Sequence, residues 1–289
     1  SFYLRTIRTL ELAAEYDVPV LFSSIGVEPY SETNERSQQL KQALRLPVVR
    51  QLTTRDDLES AKKYVEGTQT PTALVSDPAV LADSVFGVDS RPVEDSQTDS
   101  GRCIGLVVTR AGIFKDNGID FSEADQRRFW LDIISQLESR GDDYRIFTTG
   151  HFSDEMFLDS LVRYHGVPNK KAAVTLNAPE ELIAELQKCD GVIAYRLHAS
   201  ITSFALGIPS VGLNWNFKVP DFYRSMGYPE RALENSDWNS AKVLRTLDVA
   251  MSEGVAKEPD TLMSVYRTLF TGMKGIIAPD SEADAYSLS

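Results

Sequence analysis

Short apolar runs alternate with amphipathic helical stretches along most of this chain. That alternation calls for parallel strands covered by helices, an α/β architecture. A first set predicts helix 3–16, strand 18–25, helix 35–45, strand 48–53, helix 56–66 and strand 72–76. Asp77-Pro78 then opens a short helix to about residue 83, because Asp suits an N-cap and Pro the first helical position. Residues 87–101 are polar and aperiodic and read as a linker. A second set follows: strand 103–109, helix 123–140, strand 144–149, helix 153–165, strand 172–176, helix 179–188, strand 190–195, helix 198–206 and strand 209–213. Helices near 220–226, 240–253 and 260–276 close the pattern, and 279–289 reads as a disordered tail.

This order predicts two α/β units, 1–90 and 101–278, with the five strands of the second in one parallel sheet. The first unit is the smaller. It opens on a helix and offers three strands, whereas a doubly wound domain normally opens on a strand and its phosphate-binding turn. Ser1 therefore reads as lying in the middle of a domain. An abbreviated sheet leaves an edge open or covered by another chain, which leaves room for a homo-oligomer. Neither G-x-G-x-x-G, G-x-x-x-x-G-K nor G-x-S-x-G occurs.

With 42 acidic against 30 basic residues among 289, the net charge is −12, which argues against nonspecific nucleic-acid binding. An anionic ligand would need a local positive pocket set against that field. No run approaches 18 apolar residues, so no transmembrane helix is expected. The opening Ser1-Phe2-Tyr3-Leu4-Arg5 lacks the order of a signal peptide. Cys103 and Cys189 sit at the edges of apolar runs without metal-ligand spacing, and read as buried free thiols in a reducing cytoplasm.

The stretch from Asp190 to Lys218 carries the most chemistry. Strand 190–195 ends at Arg196, and a helix starts at once near His198 and stops at Gly207-Ile208-Pro209. Arg196 and His198 thus fall at a strand's carboxyl end beside a helix N-terminus, where open α/β sheets bind ligands and free N–H groups favour an anion. The N–H groups near Ala199 and Ser200 are the expected donors. Residues 196–218 hold no Asp or Glu, where the chain's average of 42 in 289 would give about three. The alternative is an Arg196 ion pair and a His198 that only caps the helix. Arg110 ends the first strand of the second unit and could reach the same place, or be an ordinary loop arginine. His151 follows Thr148-Thr149-Gly150 at another strand end and is a further candidate for the pocket. His165 reads as a helix C-terminal cap, Asp56 and Asp77 as N-caps, and Cys189, Asp190 and Tyr195 as structural. No cluster has metal-ligand spacing, and no metal or cofactor is expected.

These residues resemble the polysaccharide pyruvyl transferase family. The block from Asp190 to Val211, with Arg196-Leu197-His198-Ala199 followed by Gly207-Ile208-Pro209, and Lys218 beyond it, is the most specific feature. Ile25-Gly26-Val27-Glu28-Pro29, Thr54-Arg55-Asp56 with Ser60, and Val75-Ser76-Asp77-Pro78-Ala79 are weaker matches in the family's order. The resemblance spans roughly residues 10–230. It implies two Rossmann-like units of the GT-B kind, and transfer of a pyruvyl group from phosphoenolpyruvate to two hydroxyls of one sugar. It places Arg110, Arg196 and His198 on phosphoenolpyruvate, with Lys218 nearby. The acceptor would be a sugar, an oligosaccharide or a lipid-linked saccharide, handled in the cytoplasm or at the inner face of the membrane. The family's further N-terminal segment with a glycine-rich turn has no counterpart here.

Two other readings stay open. A GT-B glycosyltransferase using a nucleotide sugar would share the fold, and fold alone does not separate them. A noncatalytic carbohydrate- or anion-binding module would bind without turnover.

Overall fold

The computed structural model describes residues 2–89, 101–110, 112–174, 176 and 178–277. Most of the expected linker, and the expected tail, therefore lie outside the described residues. The chain begins with α1 (Phe2–Glu15), β1 (Val20–Ile25), α2 (Glu35–Leu44), β2 (Val49–Thr54), α3 (Leu58–Tyr64) and β3 (Thr72–Leu74). It continues with α4 (Ala82–Phe86), β4 (Cys103–Val107), α5 (Gly112–Asp116), α6 (Glu123–Ser139), β5 (Asp143–Phe147), α7 (Phe152–Tyr164) and β6 (Ala172–Ala173). Then come α8 (Pro179–Leu186), β7 (Gly191–Ala194), α9 (Leu197–Ala205), β8 (Ser210–Leu213), α10 (Lys218–Ser225), β9 (Ala232–Leu233), α11 (Ser240–Glu253) and α12 (Pro259–Ile277).

Two compact units emerge: one holds Ser1–Pro78 together with α12, the other Ala79–Lys257. The order of elements predicts cuts at 90 and 101 with α12 in the second unit, and the structure groups the chain differently at both places. α4 joins the second unit, where Phe86 and Val88 pack on the cluster of Val107, Phe147 and Val192. Lys257 reaches back to Asp83 at 2.6 Å. α12 returns to the first unit because Val265 and Thr268 are buried there. Chain order alone does not reveal which sheet a terminal helix covers.

In the first unit three parallel strands run in the order β1-β2-β3. Leu10, Leu52, Ala61 and Tyr64 centre its core. The three weaker sequence matches all fall at the carboxyl ends of these strands and hold one another. Asp56 accepts the Val27 N–H at 2.9 Å, the Arg55 N–H donates to the Ile25 carbonyl at 3.1 Å, and Arg55 pairs with buried Asp77. Asp57, not Asp56, is the N-cap of α3, accepting from the Ser60 N–H. Asp56 is drawn away by the β1 loop.

The second unit carries six parallel strands in the order β6-β5-β4-β7-β8-β9. All five expected strands lie in this sheet, and the first sheet is the smaller, three strands against six among the described residues. β9, two residues long, has too short an apolar run to be legible. Ile104, Leu106, Val107 and Val108 are all buried, the continuous apolar run of a strand covered on both faces. The chain lays down β4, β5 and β6 toward one edge, then β7, β8 and β9 toward the other. β4 and β7 therefore flank a topological switch point, where helices leave on opposite faces and a crevice opens at the carboxyl ends. Under it, Phe114, Trp130, Tyr195 and Trp238 meet edge to face with ring centroids 5.0–5.6 Å apart. Asp190 ties the other end, its Oδ2 accepting the Cys103 N–H at 2.8 Å.

Candidate functional site at the switch point of the second sheet

Arg110 follows β4 and Arg196 follows β7, so the topology sets two guanidinium-bearing residues on either side of the switch point. A third residue joins them. Asp154 lies in the first turn of α7 and is fully buried. Its Oδ1 accepts the Arg110 N–H at 2.9 Å and the Thr109 hydroxyl at 3.2 Å. Arg196 approaches the same carboxylate in a two-pronged contact, Nε to Oδ2 and Nη2 to Oδ1, both at 2.8 Å. The planar fork of an arginine suits this geometry, and the charge-assisted bonds fix the ring of loops. From below, Gln126 on α6 donates to the Thr109 carbonyl at 2.7 Å.

Arg196 is therefore in an ion pair, the alternative that its place at the strand end left open, although the acid-free segment itself supplies no counter-charge. The counter-charge comes from 42 residues earlier in the chain. Arg196 Nη1 keeps no partner among the described residues, and the side chain is 21% exposed, enough for a ligand to reach that edge. Arg110 is freer: its side chain is 41% exposed and, among the described residues, its only ion pair is with Asp116 at 3.6 Å, itself well solvated. Such a pair contributes little.

The helix start also differs from expectation. Arg196 is the N-cap of α9, and its carbonyl accepts the N–H groups of Ala199 at 3.0 Å and Ser200 at 3.4 Å. Those two donors are spent inside the helix, and both residues are buried. His198 is exposed on the first turn. His151 caps α7, its Nδ1 accepting the Ser153 N–H at 3.3 Å, so in the neutral ring the proton sits on Nε2. His151 is 56% exposed and stands 3.9 Å from Asp154 Oδ1. His165 is the C-terminal cap of α7.

Lys218 opens α10, its N–H donating to Asn216 Oδ1 at 3.1 Å. Its ammonium stands 5.6 Å from the Phe217 ring centroid. The loop that carries it is fastened to the end of β7, because Trp215 Nε1 donates to the Tyr195 carbonyl at 2.7 Å. The structure thus brings together Arg110, His151 and Arg196 through Asp154, and the Lys218 loop through Trp215. Asp154 and Trp215 are the residues that sequence reasoning missed. An acid in a helix's first turn is ordinary macrodipole compensation, and nothing in its spacing marks this one. Among the described residues no group of His, Cys, Asp or Glu could hold a metal ion, and no helix is long and apolar enough to cross a membrane. Neither Cys103 nor Cys189 is in a disulfide; Cys189 is buried, whereas Cys103 is only half-buried.

Two arginines, one held by Asp154 and one largely exposed, thus stand at the strand ends on either side of the switch point. A sequence model of the polysaccharide pyruvyl transferase family matches residues 1–216 of this chain. The chain belongs to that family. Arg110, Asp154, Arg196 and His198 fall inside the matched span and Lys218 just outside it. No curated protein sequence matches the chain. Among solved structures, the UDP-GlcNAc 2-epimerase of Methanocaldococcus jannaschii superposes with a TM-score of 0.58 at 13% identity, covering 92% of this chain and 74% of that one. A Listeria monocytogenes protein described as a candidate UDP-N-acetylglucosamine 2-epimerase gives 0.54 at 12% identity, over 99% and 82%. These likenesses establish the fold, two Rossmann-like units of the GT-B kind.

Proposed function

We propose that this pyruvyl transferase family member uses phosphoenolpyruvate as its donor and a sugar as its acceptor, with the donor at the switch point of the second sheet. The observation that carries the reading is the pair Arg110 and Arg196 at the ends of β4 and β7. Phosphoenolpyruvate carries a carboxylate and a phosphate, and two guanidinium groups answer both. Arg196, gripped by Asp154, offers its remaining edge in a fixed orientation; Arg110 can swing to the second anionic group. Lys218 adds a cation from the β8 side.

In this chemistry a proton adds to C3 and leaves C2 as an oxocarbenium-like electrophile. One sugar hydroxyl adds to C2 and gives up its proton. The C2–O bond to phosphate then breaks, and inorganic phosphate departs with the bridging oxygen. A second hydroxyl adds to C2, loses its proton and closes the ketal. His198, exposed at the start of α9, is the group we assign to proton transfer, an effect typically worth ~10²–10⁴-fold.

The test is incubation with phosphoenolpyruvate and a panel of glycosides, reading phosphate release and the mass gain of one pyruvyl ketal. Nucleotide release from a nucleotide sugar instead would make the chain a glycosyltransferase. Saturable binding without turnover would make it a binding module.

A further inference from the structure

Helix α12 has a wider apolar surface than the first unit covers. One face is fixed to the sheet. Val265 and Thr268 are buried, and a Cβ on Gly272 would lie 2.6 Å from Gln51 Oε1, so the helix is seated at close approach with this face inward. At about 100° per residue, Met263, Tyr266, Phe270, Met273 and Ile277 lie roughly 100–180° around the helix from Gly272. They are 43%, 52%, 56%, 43% and 75% exposed. Their spacing alternates three, four, three, four, the repeat of a helix that packs along another helix. Tyr266 and Phe270 already stack, with ring centroids 5.6 Å apart and planes 18° from parallel.

We propose that this face pairs, antiparallel and about a two-fold axis, with α12 of a second copy of this chain. In that register Met263 meets the partner's Met273, and Tyr266 meets the partner's Phe270, so four aromatic rings fill the centre. Asp260 then falls beside the partner's Lys274 at both ends, opposite charges in the flanking positions. A parallel pair would bring no such charges together. The two Arg267 side chains approach near the axis, and their length lets the charged heads turn to water. Taking ~200 Å² for each large side chain, about half exposed, each copy contributes roughly 500 Å². Two copies then bury about 1,000 Å², the low end for a specific interface, so the dimer is a weak one. A membrane-surface helix would carry a polar face rich in Lys and Arg. α12 has Arg267 and Lys274 with Asp260, on a chain of net charge −12, so a protein partner fits better.

Sedimentation velocity of the full chain between about 1 and 100 μM should show a monomer–dimer equilibrium. Phe270→Glu should weaken it at least ~10-fold, with the thermal unfolding midpoint unchanged because the position is exposed. If that variant fails to fold, Met263→Lys at the end of the stripe replaces it with the same expectation. Copies carrying Met263→Cys mixed with copies carrying Met273→Cys should cross-link under oxidation, and neither should do so alone, with the wild-type chain and its Cys103 and Cys189 as the blank. A chain that stays monomeric throughout, a dimer unmoved by the substitution, or cross-links between like variants would overturn the proposal. So would a monomer that co-sediments with anionic vesicles, which would make the face a membrane surface.

Discussion

Arg196 lays Nε and Nη2 against the two carboxylate oxygens of Asp154, each at 2.8 Å, and that carboxylate also accepts the Arg110 N–H at 2.9 Å. One buried acid thus fixes the loops that leave β4 and β7. Removing Arg196 would therefore do two things at once, losing a ligand contact and stranding a buried carboxylate. Any activity measured on an Arg196 variant has to be read beside its stability.

Asp154→Ala strands Arg196, the Thr109 hydroxyl and the Arg110 N–H together. Breaking a buried pair from one side typically costs about 3–5 kcal/mol, and urea unfolding of the variant should show a loss of that order. Asp154→Asn keeps the volume and one acceptor and should lose less. An alanine variant within ~0.5 kcal/mol of wild type would mean that the contact is incidental.

Arg110 gives the cleaner test of donor binding, since its exposed pair with Asp116 contributes little. Arg110→Ala should leave the unfolding midpoint in place while donor use falls about 10- to 100-fold, the loss of one charge-assisted contact of ~1.5–3 kcal/mol. Arg196→Lys should recover only part of the activity, because a point charge does not reproduce the two-pronged contact. His198→Ala should lower kcat more than it raises KM for the donor. Steady-state kinetics on folded variants separates these; equal effects on both parameters at His198 would remove its proton-transfer role.

Glu185 supplies a pH test. This carboxyl is almost fully buried on α8, with Arg145 beside it and Lys188 at 2.6 Å. Burial alone would push it up, but the hydrogen bonds and charges of Arg145 and Lys188 hold it below the ordinary value of 4.5. A lowered folded-state value means stability that is present above the unfolded value and lost as pH falls through the folded one. Glu185→Gln should therefore cost roughly 1–3 kcal/mol at neutral pH. The gap to wild type should narrow once the pH drops below 4.5. Denaturant unfolding at several pH values reads it; a gap that widens on acidification would reverse the sign assigned here.

Much of the fold was legible because both sheets are parallel and buried, so strands such as Cys103–Val107 stand out as apolar runs between helices. β9 was not, because two residues carry no period. The unit boundary was not, because nothing in α12's own sequence tells which sheet lies under Gly272. At the site, Arg110, Arg196 and the Lys218 loop were legible as strand-end cations. Asp154 was not, since its role depends on β4, β5 and β7 lying side by side, a relation of topology rather than spacing. The expected N–H donors at Ala199 and Ser200 failed for a local reason: the helix begins at Leu197, so the Arg196 carbonyl takes both.

Calorimetric titration of the chain with phosphoenolpyruvate reads out whether an anion binds between Arg110 and Arg196. Surface Arg163, paired with Asp159 at 2.7 Å on α7, serves as the control position. Saturable one-site binding is expected, weakened at least ~10-fold, about 1.4 kcal/mol, by Arg110→Ala and unchanged by Arg163→Ala. No binding up to about 10 mM, or equal binding by the Arg110→Ala chain, would contradict it.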